Sequence, residues 1–250
     1  MRAILTYHSI DDSGSPVSVS EAAFRAHVRF LSSGAVTVVP LADLAARPDD
    51  AESVALTFDD AFANFATVAL PLLRDHGLPA TLFVVSDHVG LDNAWGGLPA
   101  DGVPTLPLMS RAQLDEANRA GVDIGAHTRR HPDLTAIAAS QLDDEVAGCA
   151  EALASLTGKR PRHFAYPYGA VNDRAEGAVR AAFALGCTTE FRALAAGDDP
   201  FRLPRLDAWY FSQPRQLERW GTPAFRRRLW LRAQGRRVRR LMTSTPGFAA

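Results

Sequence analysis

Short apolar runs alternate with helix-like segments along most of this 250-residue chain, and that alternation restricts the fold more than any other feature. The runs are "AILTY", "AVTVV", "SVALTF", "ATLFVV", "VDIGAH", "HFAYP" and "CTTEF". Between them lie segments with helical periodicity. "SVSEAAFRAHVRFLSSG" has a capping box at Ser18 and Glu21, places Phe24, Val28 and Leu31 on one face, and stops at Gly34. "ALPLLRDHG" tolerates Pro71 near its start and ends at Gly77, and "SRAQLDEANRAG" opens with a Ser110/Gln113 capping box. "SQLDDEVAGCAEALASLTG" carries Leu142, Val146, Leu153 and Leu156 on one stripe, and "DRAEGAVRAAFALG" reads as a further helix. A Gly/Pro-rich loop runs from Gly90 to Pro107. Repeated β-then-α units predict a parallel sheet covered by helices, either open or closed into a barrel.

In such folds the chemistry gathers at the C-terminal ends of the strands. His8 follows "AILTY", Asp59 and Asp60 follow "SVALTF", His127 follows "VDIGA", and Pro167, Tyr168 and Gly169 follow "HFAY". Polar or turn clusters at that many strand ends predict one shared site. Two adjacent aspartates after a strand, taken alone, read equally as a loop start or a helix cap. "HTRRHPDL" places His127 and His131 at i, i+4, and one helical turn there would aim both imidazoles the same way. Two imidazoles and a carboxylate make a three-ligand metal site with a position left for water.

At 47% hydrophobic and 22% charged, the chain fits one globular domain with a sizeable core. Cys149 and Cys187 lie in apolar segments without metal-like or redox spacing and read as buried free thiols. The opening "MRAILTYHSI" is too short an apolar run for a signal peptide, and no apolar run is long enough to span a membrane. A cytoplasmic location is the expectation. Residues 221–250 hold eight arginines and no acid, a charge of +8 that leaves −9 on the rest of a chain whose net charge is −1. This basic tail reads either as a solvated terminal helix or as an element that meets an anionic membrane surface, with Leu229, Trp230, Leu231 and Val238 as its apolar side. No nucleic-acid recognition motif accompanies it. Residues 1–220 are therefore expected to form the catalytic domain, and 221–250 a separate tail that is not part of the site.

"TFDD", "HTRRHP" and "FAYPYG" occur in that order, and together they resemble the polysaccharide deacetylase family, the NodB homology domain or carbohydrate esterase family 4. The resemblance runs from about His8 to Asp207, and "YHSI" is similar to a branch with an N-terminal "YH" strand. It implies a distorted (β/α) barrel and metal-dependent removal of acetyl groups from N-acetylated sugars. Asp60, His127 and His131 would bind the metal, with zinc the default and cobalt, nickel or iron possible. Asp59 would be the general base and the Tyr168 backbone N–H an oxyanion donor. The chain departs from the family pattern twice. Ala165 stands where many members carry a base-orienting arginine, leaving Arg205 either to pair with Asp59 or to lie at the surface. No histidine follows His163, so the general acid falls to His8, whose other reading is a core histidine bonded to a backbone carbonyl. Tyr166, Tyr168, Trp95 and Trp209 could stack on sugar rings or simply pack. Other readings are a same-fold hydrolase of a non-sugar amide or cyclic imide, and an inactive saccharide-binding protein.

Overall fold

The structure, a computed structural model, describes residues 1–48, 51–95, 102–213 and 215–242. The centre of the 90–107 loop and the end of the basic tail lie outside them.

In chain order the elements are β1 (Arg2–Tyr7), β2 (Ser9–Ile10), β3 (Ser18–Val19), α1 (Glu21–Leu31), β4 (Thr37–Val38), α2 (Leu41–Leu44), β5 (Ser53–Phe58) and α3 (Leu70–Asp75). There follow β6 (Thr81–Val84), α4 (Arg111–Arg119), β7 (Asp123–Ala126), α5 (Ala139–Asp143), α6 (Cys149–Thr157), β8 (His163–Ala165), α7 (Asp173–Ala182), β9 (Leu185–Cys187), β10 (Leu206–Asp207) and α8 (Pro223–Met242). The main sheet runs β10-β1-β5-β6-β7-β8-β9, with β4 also on β5, and all its pairings are parallel. Leu203 bridges Cys187 on one side, and Leu206 pairs with Leu5 on the other. The segment from Leu203 to Asp207 thus curls the sheet towards closure, giving the distorted (β/α) barrel.

Side chains alternate across each strand, so residues two apart share a face. One set fills the barrel: Ile4, Ala55, Phe83, Ala165, Cys187 and Leu203 pack in one cluster. The other set, including Leu5, Leu56, Leu82, Ile124 and Phe164, packs outward under the helices. Phe83 occupies a bore lined by small residues. A Cβ on Gly125 would stand 2.5 Å from the Phe83 ring. The same period carried upward puts Thr6 and His8 above Ile4, Thr57 and Asp59 above Ala55, and Arg205 and Asp207 above Leu203. The apolar plug therefore gives way to a polar layer at the C-terminal mouth, where the Thr6 and Thr57 hydroxyls are 2.9 Å apart.

Three local expectations are corrected. Ser20, not Ser18, caps α1, accepting from the Ala23 N–H. Ser18 is occupied in the small β2–β3 sheet and donates its hydroxyl to Asp11. The strand expected at "CTTEF" is Leu185–Cys187, so Thr188 and Thr189 fall on the mouth and not within the sheet. The basic tail forms α8 and docks on the barrel by burying Phe225 and Leu229 in the main core. The Ser110/Gln113 capping box is formed in full, and both cysteines are free and buried.

Candidate active site

His127 and His131 do not sit on a helical turn. The chain after β7 is an irregular loop in which Thr128 and His131 have left-handed backbone, at φ 67 and 63. Asp60, Ala61 and Tyr168 share that conformation, at φ 69, 56 and 59. Each such non-glycine residue costs on the order of 1–3 kcal/mol and persists only where its surroundings hold it. Here they do. The Thr128 hydroxyl accepts from the His131 N–H at 2.9 Å, and its carbonyl accepts from the Ser86 N–H and the Cys149 thiol. The buried Glu145 carboxylate accepts from the Arg129 and Arg130 N–H groups, both at 3.0 Å.

The loop brings the two imidazoles to Asp60. Their Nε2 atoms are 3.2 Å apart, and Asp60 Oδ1 lies 3.4 Å from His127 Nε2 and 3.5 Å from His131 Nε2. The His127 Nδ1–H donates to the Ala165 carbonyl at 2.7 Å, which leaves its Nε2 lone pair facing inward. His131 Nδ1 pairs with the Tyr168 hydroxyl at 3.1 Å, and the Trp95 ring stacks on His131 at 4.6 Å. Asp60 Oδ1 is buried without a hydrogen-bond partner. Burial pushes the Asp60 carboxyl up, and burial with the neighbouring His127 pushes His131 well down. Lone pairs thus converge around an orphaned carboxylate oxygen. A tetrahedral ion bound to N and O at about 2.1 Å holds its ligand atoms about 3.4 Å apart, so the donor set fits a small divalent cation in chemistry and spacing.

Asp59 faces the same cleft. Both its oxygens accept from Arg205, at 2.7 Å from Nη1 and 2.7 Å from Nη2, while Arg205 Nε–H donates to the Thr188 carbonyl at 2.9 Å. Both side chains are buried. Burial alone would raise the Asp59 carboxyl, but the Arg205 guanidinium, with His127 and His8, holds it down at about 2. His8 Nε2 is 3.7 Å from Asp59 Oδ2, and its side chain remains 22% exposed, facing the mouth. It is therefore not sealed in the core. Tyr168 is 39% exposed at the rim, whereas Tyr166 is fully buried and offers no face for a sugar.

The cleft is lined by every catalytic and metal-binding candidate from the sequence, namely His8, Asp59, Asp60, His127, His131, Tyr168 and Arg205, and by Trp95, whereas Trp209 lies outside it. It also holds residues that sequence reasoning missed. Asp207, which accepts from the Trp209 N–H, ends a two-residue strand too short to be read from periodicity. Arg236 comes from α8, the segment expected to stand apart from the site.

Comparison with known proteins places this architecture. A polysaccharide deacetylase family model matches residues 46–187, and the chain belongs to the polysaccharide deacetylase family. It is 28% identical over 168 residues to the poly-beta-1,6-N-acetyl-D-glucosamine N-deacetylase of Staphylococcus epidermidis, covering 62% of this chain and 54% of that protein. It is 33% identical over 119 residues to the chitooligosaccharide deacetylase of Bradyrhizobium sp. (strain ANU 289), covering 47% and 46%. The chain thus spans about half the length of these two relatives. Among solved structures, IcaB from Ammonifex degensii superposes with a TM-score of 0.71 at 23% identity, covering 83% of this chain and 93% of that one. The Streptococcus pyogenes deacetylase PplD in complex with acetate gives 0.69 at 22% identity, covering 82% and 91%. These likenesses establish the fold.

Proposed function

We propose that this protein is a metal-dependent N-deacetylase of an N-acetylated saccharide. One observation carries the reading. A carboxylate held ionised by a bidentate arginine stands in one cleft with a convergent Asp-His-His donor set, and a simple binding module needs neither. Asp60, His127 and His131 would hold the ion, with zinc the default for two imidazoles and a carboxylate. When bound, such an ion acidifies water and polarises a carbonyl.

The remaining work falls to side chains. Asp59 takes a proton from the attacking water, and Arg205 keeps its carboxylate charged and fixed in a buried place where it would otherwise protonate. Tyr168, a left-handed residue lining the cleft, would offer its backbone N–H to the developing oxyanion. His8 Nε2 gives the proton that the departing amine requires. Its position 3.7 Å from Asp59 Oδ2 lets the base return its proton to the acid, so the cycle closes without a net change in the protein. The protein loaded with zinc is to be assayed for acetate release from a panel of N-acetylated oligosaccharides. Failure to release acetate from any of them, with one metal bound per chain, would overturn the proposal.

A further inference from the structure

We propose that α8 builds an anion-binding subsite onto the catalytic cleft, with Arg236 as its principal contact, for a phosphate or carboxylate group carried next to the N-acetylated sugar. The proposal rests on the deacetylase reading for the identity of the sugar. It does not rest on that reading for the anion.

Beside the catalytic cleft lies a second cavity of about 630 Å³, bounded by the chain from Thr188 to Ala193 and by Leu229, Trp230, Ala233 and Gln234 of α8. Thr189, Phe191 and Arg236 line both cavities and so form the partition between them. Size alone admits a sugar or a sugar phosphate. Charge narrows the choice. The other arginines at the second cavity already have carboxylate partners: Arg192 has Glu190 and Asp198, Arg202 has Asp173 and Glu176, and Arg226 has Glu52. Arg236 has none among the described residues. Its guanidinium donates to two neutral oxygens, the Tyr210 hydroxyl at 3.1 Å and the Thr189 carbonyl at 3.4 Å. Its Cζ lies over both rings, 5.6 Å from the Phe191 ring centre and 5.7 Å from that of Tyr210.

These contacts fix the orientation of Arg236 without neutralising it. A guanidinium has five N–H donors in a fork that matches carboxylate and phosphate oxygens, and the bonds to Tyr210 and Thr189 use only part of that set. The surroundings add to the positive potential. Arg232 lies over the Tyr210 ring at 4.2 Å, also without a carboxylate partner among the described residues. Arg228 donates to the Tyr210 carbonyl, and its proton is held less tightly than usual because of burial and of the neighbouring Arg232 and Arg219. Asp207 shares the cleft and feels the Arg236 charge, but burial is the larger influence and pushes its carboxyl up, which weakens it as a counter-charge. A cation held at the boundary of two cavities, with unused donors and no carboxylate within ion-pairing distance among the described residues, suits an anionic oxygen better than a sugar hydroxyl.

The test is calorimetric binding at low ionic strength of three probes: N-acetylglucosamine, N-acetylglucosamine 1-phosphate and N-acetylmuramic acid. The intact protein should bind at least one charged probe roughly tenfold or more tighter than the neutral one, the scale of a charge-assisted bidentate contact. Arg236→Gln, which removes the charge and keeps a neutral polar side chain, should lose that preference, and Arg236→Lys should keep part of it. A preference for the phosphate alone or the carboxylate alone identifies the group that the subsite takes. Equal binding of all three probes by the intact protein, or an unchanged preference in a folded Arg236→Gln protein, overturns the proposal. Binding needs no turnover. A protein that prefers charged probes but releases no acetate keeps the subsite and loses the deacetylase reading, and the reverse pattern does the opposite.

Discussion

Asp59 and Asp60 are chemical neighbours with opposite surroundings, and the difference assigns their roles. Asp59 has a bidentate guanidinium on its two oxygens, whereas Asp60 has a buried oxygen with no partner. Asp59→Asn should retain one metal per chain and lose roughly 100-fold or more in rate, as for removal of a general base; loss of metal along with activity would exchange the two assignments. Arg205→Ala should strip a buried carboxylate of its counter-charge and cost roughly 3–5 kcal/mol in chemical denaturation. The pH dependence has a definite sign. The Asp59 carboxyl is lowered on folding, so its contribution to stability is present above the ordinary value of 3.8 and is lost as pH falls towards about 2. In Arg205→Ala that stabilisation should vanish, because burial alone raises the carboxyl. Urea melts across pH 2–5 compare the two proteins. His8 makes a separate prediction. His8→Ala should hurt N-acetyl substrates at least about tenfold more than activated O-acetyl esters, whose leaving groups depart without a proton. Equal losses on both would remove His8 from the role of acid.

The elements explain which of these residues could be read in advance. Asp59, His8 and His127 each end an apolar strand of four or more residues, and the period of two already puts them in line with the barrel interior. Arg205 was legible only through the lack of an arginine at Ala165. Asp207 and the positions of Thr188 and Thr189 were not, because β9 and β10 have three and two residues and carry no measurable periodicity. The loop after β7 misled for another reason. An i, i+4 histidine pair is the helical signature, but here left-handed Thr128 and His131 produce the convergence, and the constraint holding them comes from the remote Glu145. Sequence spacing cannot report a bond across that distance. Glu145→Ala should therefore loosen the loop and weaken metal binding roughly 10–100-fold, the usual cost of removing support behind a ligand. Competition with a chromogenic chelator measures it. Unchanged affinity would mean that Thr128 and the Arg129 contacts to Asp87 and Asp144 suffice.

At the scale of the whole molecule, the charge asymmetry becomes a matter of faces. Helix α8 turns Phe225 and Leu229 into the core and leaves Trp230 61% and Leu231 52% exposed among arginines. No helix among the described residues is long and apolar enough to cross a membrane. We propose that this outer face rests against an anionic lipid surface, with the aromatic ring at the interface and the arginines drawing it there. Deleting 222–250 is a poor test, since it would uncover the core around Phe225 and Leu229 and remove Arg236 from the cleft. The better variant is Trp230→Ser with Leu231→Ser, which changes two exposed side chains, the first of them also at the edge of the second cavity, and should leave the melting temperature close to that of the parent. Co-sedimentation with vesicles containing about one-third anionic lipid should show binding by the parent that falls several-fold in the double variant. Binding by both proteins should weaken as salt rises from low ionic strength to beyond 0.15 M, because surface attraction is screened within a Debye length of about 8 Å there. A parent protein that ignores such vesicles even at low salt would leave α8 with its roles in the core and the cleft alone.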